Sequence, residues 1–326
     1  MDSLTKGYII VTDYITAGAG EDVSDMIQKI IDENPNRTIY FPDGTYTISK
    51  PILTPAHPKK SVDLQLSNFA CIRASEDWSS DEAMIRLGAK DAANDIYTPG
   101  SNYGFTGGII DASGKAKAIS IDGGRETRIT GVSIKNAEIG IHIKHGANSG
   151  SSDADIRDVN ITGNGSLTSI GLLIEGYDNT ATNMRIADVF TGVDIRSGGN
   201  MLRNIHPLFI IRAETYDRYR ESVGFRVRHG MNWLDYCYSD QFAVGFDTDG
   251  GGILKNCFCW WYSDREDTHL GIRSRNPFYG SIDTLTLGGA FHPEHPIRLS
   301  DREALLRDGD IRGVVLITGG RPERLL

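Results

Sequence analysis

A short pattern of alternating apolar and polar positions recurs along most of this chain. It consists of a small residue, an apolar residue, any residue, a second apolar residue and usually a charge. It reads AISID from Ala118, GIHIK from Gly140, GLLIE from Gly171, GVDIR from Gly192, GFRVR from Gly224, GFDTD from Gly245 and GIRSR from Gly271. Looser copies are MIRLG from Met84 and PIRLS from Pro296. Alternation with period two indicates strands, and none of these copies has apolar residues three and four apart as a helix would. Successive spacings from Ala118 are 22, 31, 21, 32, 21, 26 and 25 residues. A strand recurring every 21 or 22 residues, lengthened in two intervals, predicts a solenoid of stacked coils. The lengthened coils carry polar insertions, GANSGSSDA from Gly146 and RAETYDRYRES from Arg212, which read as loops.

A second strand follows in each coil. The segments ITGVSI, IRDVNI, ATNMRI, LRNIHP, MNWLDY and LKNCFC align Gly131, Asp158, Asn183, Asn204, Asn232 and Asn256 in one column. Asn accepts left-handed turn geometry and bonds to like neighbours above and below, so this column is expected to be structural. The N-terminal segment has another period. In DVSDMIQKIIDE, Val23, Met26, Ile27, Ile30 and Ile31 fall at helical spacing, with Asp22 placed to cap the helix. TIYFPDGTYTISKPI then reads as two strands around a Pro-Asp-Gly turn. The expected architecture is one all-β domain over residues 1–326, a single-stranded right-handed parallel β-helix with an N-terminal capping helix. Residues 1–50 form the cap and first strands, and residues 84–320 the regular coils.

The run TAGAGEDVSDMIQKIIDENPNRTIYFPDGTYTISKPI, and GFTGGIIDASGKAKAISI from Gly104, resemble the opening coils of the pectate-lyase-like superfamily. That superfamily includes polygalacturonases, rhamnogalacturonases, epimerase-like proteins and phage tailspikes. The resemblance implies the β-helix fold and a carbohydrate ligand, and it leaves the reaction open, because one fold hosts many chemistries. Polygalacturonases carry Asn-Thr-Asp, Asp-Asp, Gly-His-Gly and Arg-Ile-Lys motifs, with acids just before the small residue. Here those slots hold Ile139, Ile170, Thr191, Val223 and Val244, and the nearest carboxylate is Glu138. The Trp-Ile-Asp-His and Arg-x-Pro-x-x-Arg runs of calcium-dependent pectate lyases are also absent from the sequence.

Composition narrows the partners. The chain has 326 residues with a formal net charge of −9, which argues against nucleic acid and anionic lipid as partners. No run approaches the ~18 apolar residues of a membrane span. The first residues lack a secretory leader, which fits either an intracellular protein or one whose leader has been removed. Cys71, Cys237, Cys257 and Cys259 are too few for a disulfide framework and read as buried free thiols.

The repeat also locates a site. The second and fourth residues after the small one share an outward face. Along the axis they are Ser120 and Asp122, His142 and Lys144, Leu173 and Glu175, Asp194 and Arg196, Arg226 and Arg228, Asp247 and Asp249, then Arg273 and Arg275. The last four coils present five Arg and three Asp with no Lys, a composition suited to bidentate recognition of carboxylates. Asp194, Asp247 and Asp249 are the candidate acids, with His229 as an alternative general acid or base. Arg196, Arg226, Arg228 and Arg273 are the candidate binding residues. Same-face residues in a strand lie about 6.5–7 Å apart, so Asp247 and Asp249 are spaced roughly like an inverting glycosidase's carboxylates, ~6.5–9.5 Å. The competing reading is an exposed ion-pair ladder with no catalytic role.

NWLDYCYSD from Asn232 and NCFCWWYSD from Asn256 match position for position, 24 residues apart. This match places Trp233, Tyr236, Tyr238, Trp260, Trp261 and Tyr262 in adjacent coils, with Trp233 and Trp260 as candidate sugar-stacking rings. Asp235, Asp240 and Asp264 are alternative acids. His145 and His229 lie three coils apart, roughly 14 Å, too far to share a metal. The expected function is cleavage or rearrangement of an oligo- or polysaccharide by a hydrolase or lyase. No cofactor is expected, apart from calcium if the enzyme is a lyase. The alternatives are a non-catalytic, tailspike-like glycan-binding module and a fructan-type hydrolase or transferase on an oligomeric, trimeric scaffold, since ITGGRPERLL offers no capping helix.

Overall fold

The computed structural model describes residues 7–18, 20–57, 60–90, 104–145, 151–249, 251–262, 269–274, 279–289, 298–300 and 314–318. The chain is an all-β, right-handed parallel β-helix, and every pairing described between its strands is parallel. It divides into two compact units, Met1–Asn164 with Glu175–Thr180, and Gly165–Ile174 with Ala181–Leu326.

In the first unit, α1 (Ser24–Glu33) buries Ile27, Ile30 and Ile31, while Met26 faces solvent. Asp22 works from one position further out than a cap. Its carboxylate accepts the Ser24 and Ser49 N–H groups at 3.0 and 3.1 Å, together with both serine hydroxyls. Gln28 exchanges hydrogen bonds with both backbone groups of Leu53, at 2.8 and 3.0 Å, and so ties the helix to strand β1 (Ile52–Pro55). β1 continues in parallel through β2 (Ala83–Lys90), β3 (Lys117–Ile121) and β4 (Ile139–Ile143). The opposite wall stacks Ile39, Leu64, Phe105, Ile129 and Ile156 in register, all fully buried. Each coil therefore contributes inward apolar residues to each wall, and stacking completes a core that no coil has alone.

In the second unit, β5 (Ile170–Ile174), β6 (Thr191–Ile195), β7 (Val223–Val227), β8 (Val244–Thr248) and β9 (Leu270–Ser274) form the corresponding wall. These strands start one residue before the small residue of each repeat. Val193, Phe225, Phe246 and Ile272 align inward, with the rings of Phe225 and Phe246 stacked at 4.9 Å. The small residue is needed where the coil narrows: a Cβ at Gly245 would lie 2.8 Å from the Gly271 carbonyl oxygen. All four cysteines are buried free thiols.

Two expectations need correction. The RAETYDRYRES insertion is not a loop. Ala213–Glu221 is a 3₁₀ helix that buries Tyr219, whose hydroxyl donates to the Gln241 carbonyl at 3.0 Å. The left-handed positions expected of the column are present, Gly131 and Asp158 in the first unit and Asn183, Asn204 and Asn256 in the second, where Asn204 Nδ2 donates to Asn183 Oδ1 at 2.9 Å. The column's member between Asn204 and Asn256, however, is Tyr236 (φ 54°), because Arg203, Asp235 and Lys255 stand in register. Asn232 instead sits buried at another corner. There its Oδ1 accepts the Asn200 N–H and amide at 3.1 and 3.0 Å, and its Nδ2 donates to the Ser197 and His229 carbonyls. A coil closes where its buried polar corner is satisfied, and this moved the register by four residues from the sequence alignment.

Candidate functional site

The outward column of the second unit forms as the repeat predicts, with Leu173, Asp194, Arg226, Asp247 and Arg273 side by side on β5 to β9. What differs is its burial. Asp194 is fully buried and Asp247 nearly so, because guanidinium groups lie over both. Asp194 accepts from Arg196 (Nε 3.2 Å, Nη2 3.1 Å) in its own coil and from Arg228 (Nε 2.9 Å, Nη2 3.3 Å) in the next. Asp247 accepts from Arg273 Nη2 at 2.6 Å, while Arg226 Nε approaches it only to 3.8 Å. Arg226 therefore neighbours Asp247, as the register requires, but through charge rather than a hydrogen bond.

Arg228 aligns with Asp249, whose N–H bonds to the Val227 carbonyl, yet its guanidinium reaches back to Asp194. Burial pushes the Arg226 guanidinium below its ordinary value, with repulsion from Arg228 and Arg273 adding to this and attraction to Asp194 and Asp247 opposing it. Hydrogen bonding to Asp194 holds Arg228 above the ordinary value.

Beside this column lies a cavity of about 340 Å³, into which Arg220, Glu221, Arg226 and Arg273 project along with Phe190 and Leu167. Glu221 is exposed and pairs with Arg218, whose hydrogen bond lowers the Glu221 carboxyl below its usual range. Arg273 Nε is buried and has no hydrogen-bond partner among the described residues. Sequence inspection missed Arg220 and Glu221. They reach the cavity because the insertion folds back as a helix, and the only sequence signal was its density of charge beside a charged strand.

The other candidates do not converge on this face. His229 is exposed and bonded through Nδ1 to the Gly230 carbonyl at 2.8 Å, so it does not serve as a partner to the acids. Trp233 aligns with Met201 and Ile253, whereas Trp260 aligns with Asp240 on a different wall strand. The two aromatic runs do lie in adjacent coils, but not in the register of the 24-residue match, because Tyr238 pairs with Phe258, an offset of 20 residues. Asp235 faces Arg203 at 3.5 Å, and Asp240 accepts from Gln241 at 3.2 Å and contacts His206 at 3.4 Å. Asp264 and Arg275 lie outside the described residues.

In the first unit the outward positions of the repeat carry a compact network. Lys144 donates to Glu82 and Asp122, Arg86 donates to Asp122 at 2.9 Å, and His142 Nε2 meets Glu175 Oε2 at 2.8 Å. Burial lowers the His142 imidazole below its ordinary value, against the pull of Glu175. His145 packs edge-on against Tyr177 at 5.7 Å.

Among the described residues no group of three or more His, Cys, Asp or Glu side chains is placed to hold a metal ion such as calcium. Asp194 and Asp247, the two buried carboxylates of the second unit's column, each already face two guanidinium groups, where a dication would need their free oxygens.

No protein-family model matches the chain, and no curated protein does. Solved structures share its fold. ORF18 of Geobacillus virus E2 superposes with a TM-score of 0.68 at 14% identity over 97% of this chain, which spans only 62% of that one. The DFA-IIIase of Arthrobacter chlorophenolicus, in complex with GF2, matches with a TM-score of 0.60 at 12% identity over 96% of this chain and 94% of its own. A mutant tailspike protein of E. coli bacteriophage HK620, in complex with a hexasaccharide, matches with 0.60 at 10% identity over 96% and 65%. At these identities the likeness establishes the fold alone, a right-handed parallel β-helix.

Proposed function

We propose that the chain is a carbohydrate-active β-helix that recognises an acidic oligosaccharide in the arginine-lined cavity of its second unit. The observation that carries this is the pair of half-buried guanidinium groups of Arg226 and Arg273, with Arg273 Nε buried and unpartnered among the described residues. Buried donors without acceptors are rare in folded proteins, and a ligand carboxylate would satisfy them. The chain as a whole is acidic, so a cationic cavity is a local feature rather than a general one. Phe190 and Leu167 add apolar surface for a sugar ring. Saccharide is the favoured anion carrier because structures of this fold include a DFA-IIIase bound to GF2 and a tailspike bound to a hexasaccharide.

Cleavage is a second reading, favoured by one feature. Asp194 and Asp247 share a column two coils apart, about 9.6 Å along the axis, at the upper end of the inverting range of ~6.5–9.5 Å. Both accept from guanidinium groups, which leaves a base or nucleophile role but supplies no proton donor. The discriminating experiment is a panel of acidic and neutral polysaccharides, read for binding, new reducing ends and the ultraviolet absorbance of unsaturated products. Binding of acidic members without product supports recognition alone. Product that Asp247→Asn lowers by ~10²-fold supports cleavage on this face. Failure of every acidic member to bind refutes the proposal.

A further inference from the structure

A second cavity, of about 550 Å³, opens at the bend of the second unit, away from the arginine column. It is lined by Thr182, Asn183, Arg203, Asn204 and Tyr236. Tyr236 departs from its column. Every other member named above is Gly, Asp or Asn, the residues that best tolerate a left-handed backbone, whereas Tyr236 holds φ 54° with a bulky side chain. It gives up the amide that lets Asn204 bond to Asn183, and its ring is 56% exposed over the cavity. An aromatic residue kept in an unfavourable conformation, with its ring presented to solvent beside a cavity, points to a ligand.

The lining defines the ligand's chemistry. The Tyr236 ring offers one flat apolar face. Around it, Thr182 offers a hydroxyl that both donates and accepts and Asn204 an amide oxygen that accepts, while the Asn183 amide is engaged by Asn204. The single charge, Arg203, is already faced by Asp235 at 3.5 Å. We propose that this cavity is a subsite for a neutral sugar residue, whose C–H face would stack on Tyr236 while its hydroxyls bond to the Thr182 hydroxyl and the Asn204 amide oxygen. It is distinct in face and in charge from the arginine-lined cavity and does not depend on that site's function.

The test uses maltohexaose, cellohexaose and an inulin oligosaccharide as probes, read by saturation-transfer NMR and titration calorimetry on the full chain. At least one should bind. Tyr236→Asn restores the residue type of the column, so it should fold with an unchanged or higher Tm while weakening binding at least about ten-fold, the scale of one lost aromatic contact. Tyr236→Phe should keep most of the affinity, and Arg226→Ala all of it. The proposal is overturned if none of the three probes binds, if Tyr236→Asn binds like the parent, or if Arg226→Ala abolishes the binding.

Discussion

Arg226 is the residue on which the acidic-ligand reading can be tested most cleanly. It faces the cavity with its side chain 24% exposed, attracted by Asp194 and Asp247 but hydrogen-bonded to neither, with Asp247 at 3.8 Å. Replacing it by Ala leaves Asp247 held by Arg273 at 2.6 Å and Asp194 held by Arg196 and Arg228. It removes a partly buried charge whose attraction to Asp194 and Asp247 is opposed by burial and by repulsion from Arg228 and Arg273. The stability cost should therefore stay below about 1 kcal/mol, as for weak ion pairs. Arg273→Ala is a poor test by comparison. It strips the hydrogen bond from a carboxylate that is only 6% exposed, where losses of about 3–5 kcal/mol are expected. A hydrogen bond to a charged group contributes about 1.5–3 kcal/mol, so Arg226→Ala should weaken an acidic oligosaccharide about 10- to 150-fold. Arg226→Lys should fall between, because it keeps the charge and loses the planar fork. The assay is calorimetric titration of a short oligogalacturonate at low and high salt, beside its methyl ester, with Tm recorded for each variant. Unchanged affinity in a folded Arg226→Ala protein would refute the reasoning, and so would equal binding of the neutral ester.

Three further outcomes are expected. Burial alone would raise the Asp22 carboxyl, but hydrogen bonds from Ser24 and Ser49 outweigh it and lower the group from 3.8 to about 2. Its contribution is therefore complete above the unfolded value and lost as pH falls from 3.8 toward 2; amide exchange of α1 should show this loss, and Asp22→Asn should flatten it. Gly245→Ala should cost about 1–3 kcal/mol by overpacking, since its Cβ would press on the Gly271 carbonyl; chemical denaturation measures this. Asn256→Ala should cost about 1–2 kcal/mol for placing Ala at φ 52°, and a Tm equal to the parent's would contradict the column.

Period-two alternation and the recurring small residue were enough to determine the coils from sequence. A narrow parallel coil needs both at fixed positions, and neither depends on distant contacts. The same pattern placed Asp194, Arg226, Asp247 and Arg273 on one column, because strands stacked in register transmit side-chain direction from coil to coil. Three things waited for the tertiary structure. Tyr236 replaced Asn232 in the left-handed column because coil closure follows the buried Asn200–Asn232 bonds, not the likeness of side chains. Asp194 and Asp247 are outward in register yet buried, because Arg228 and Arg273 reach across coils, a choice of rotamer that alternation does not encode. The cavity exists because the Ala213–Glu221 insertion folds as a helix and brings Arg220 and Glu221 to a strand face that periodicity alone leaves open. Local pattern sets which way a residue points, whereas long side chains and insertions decide what it meets there.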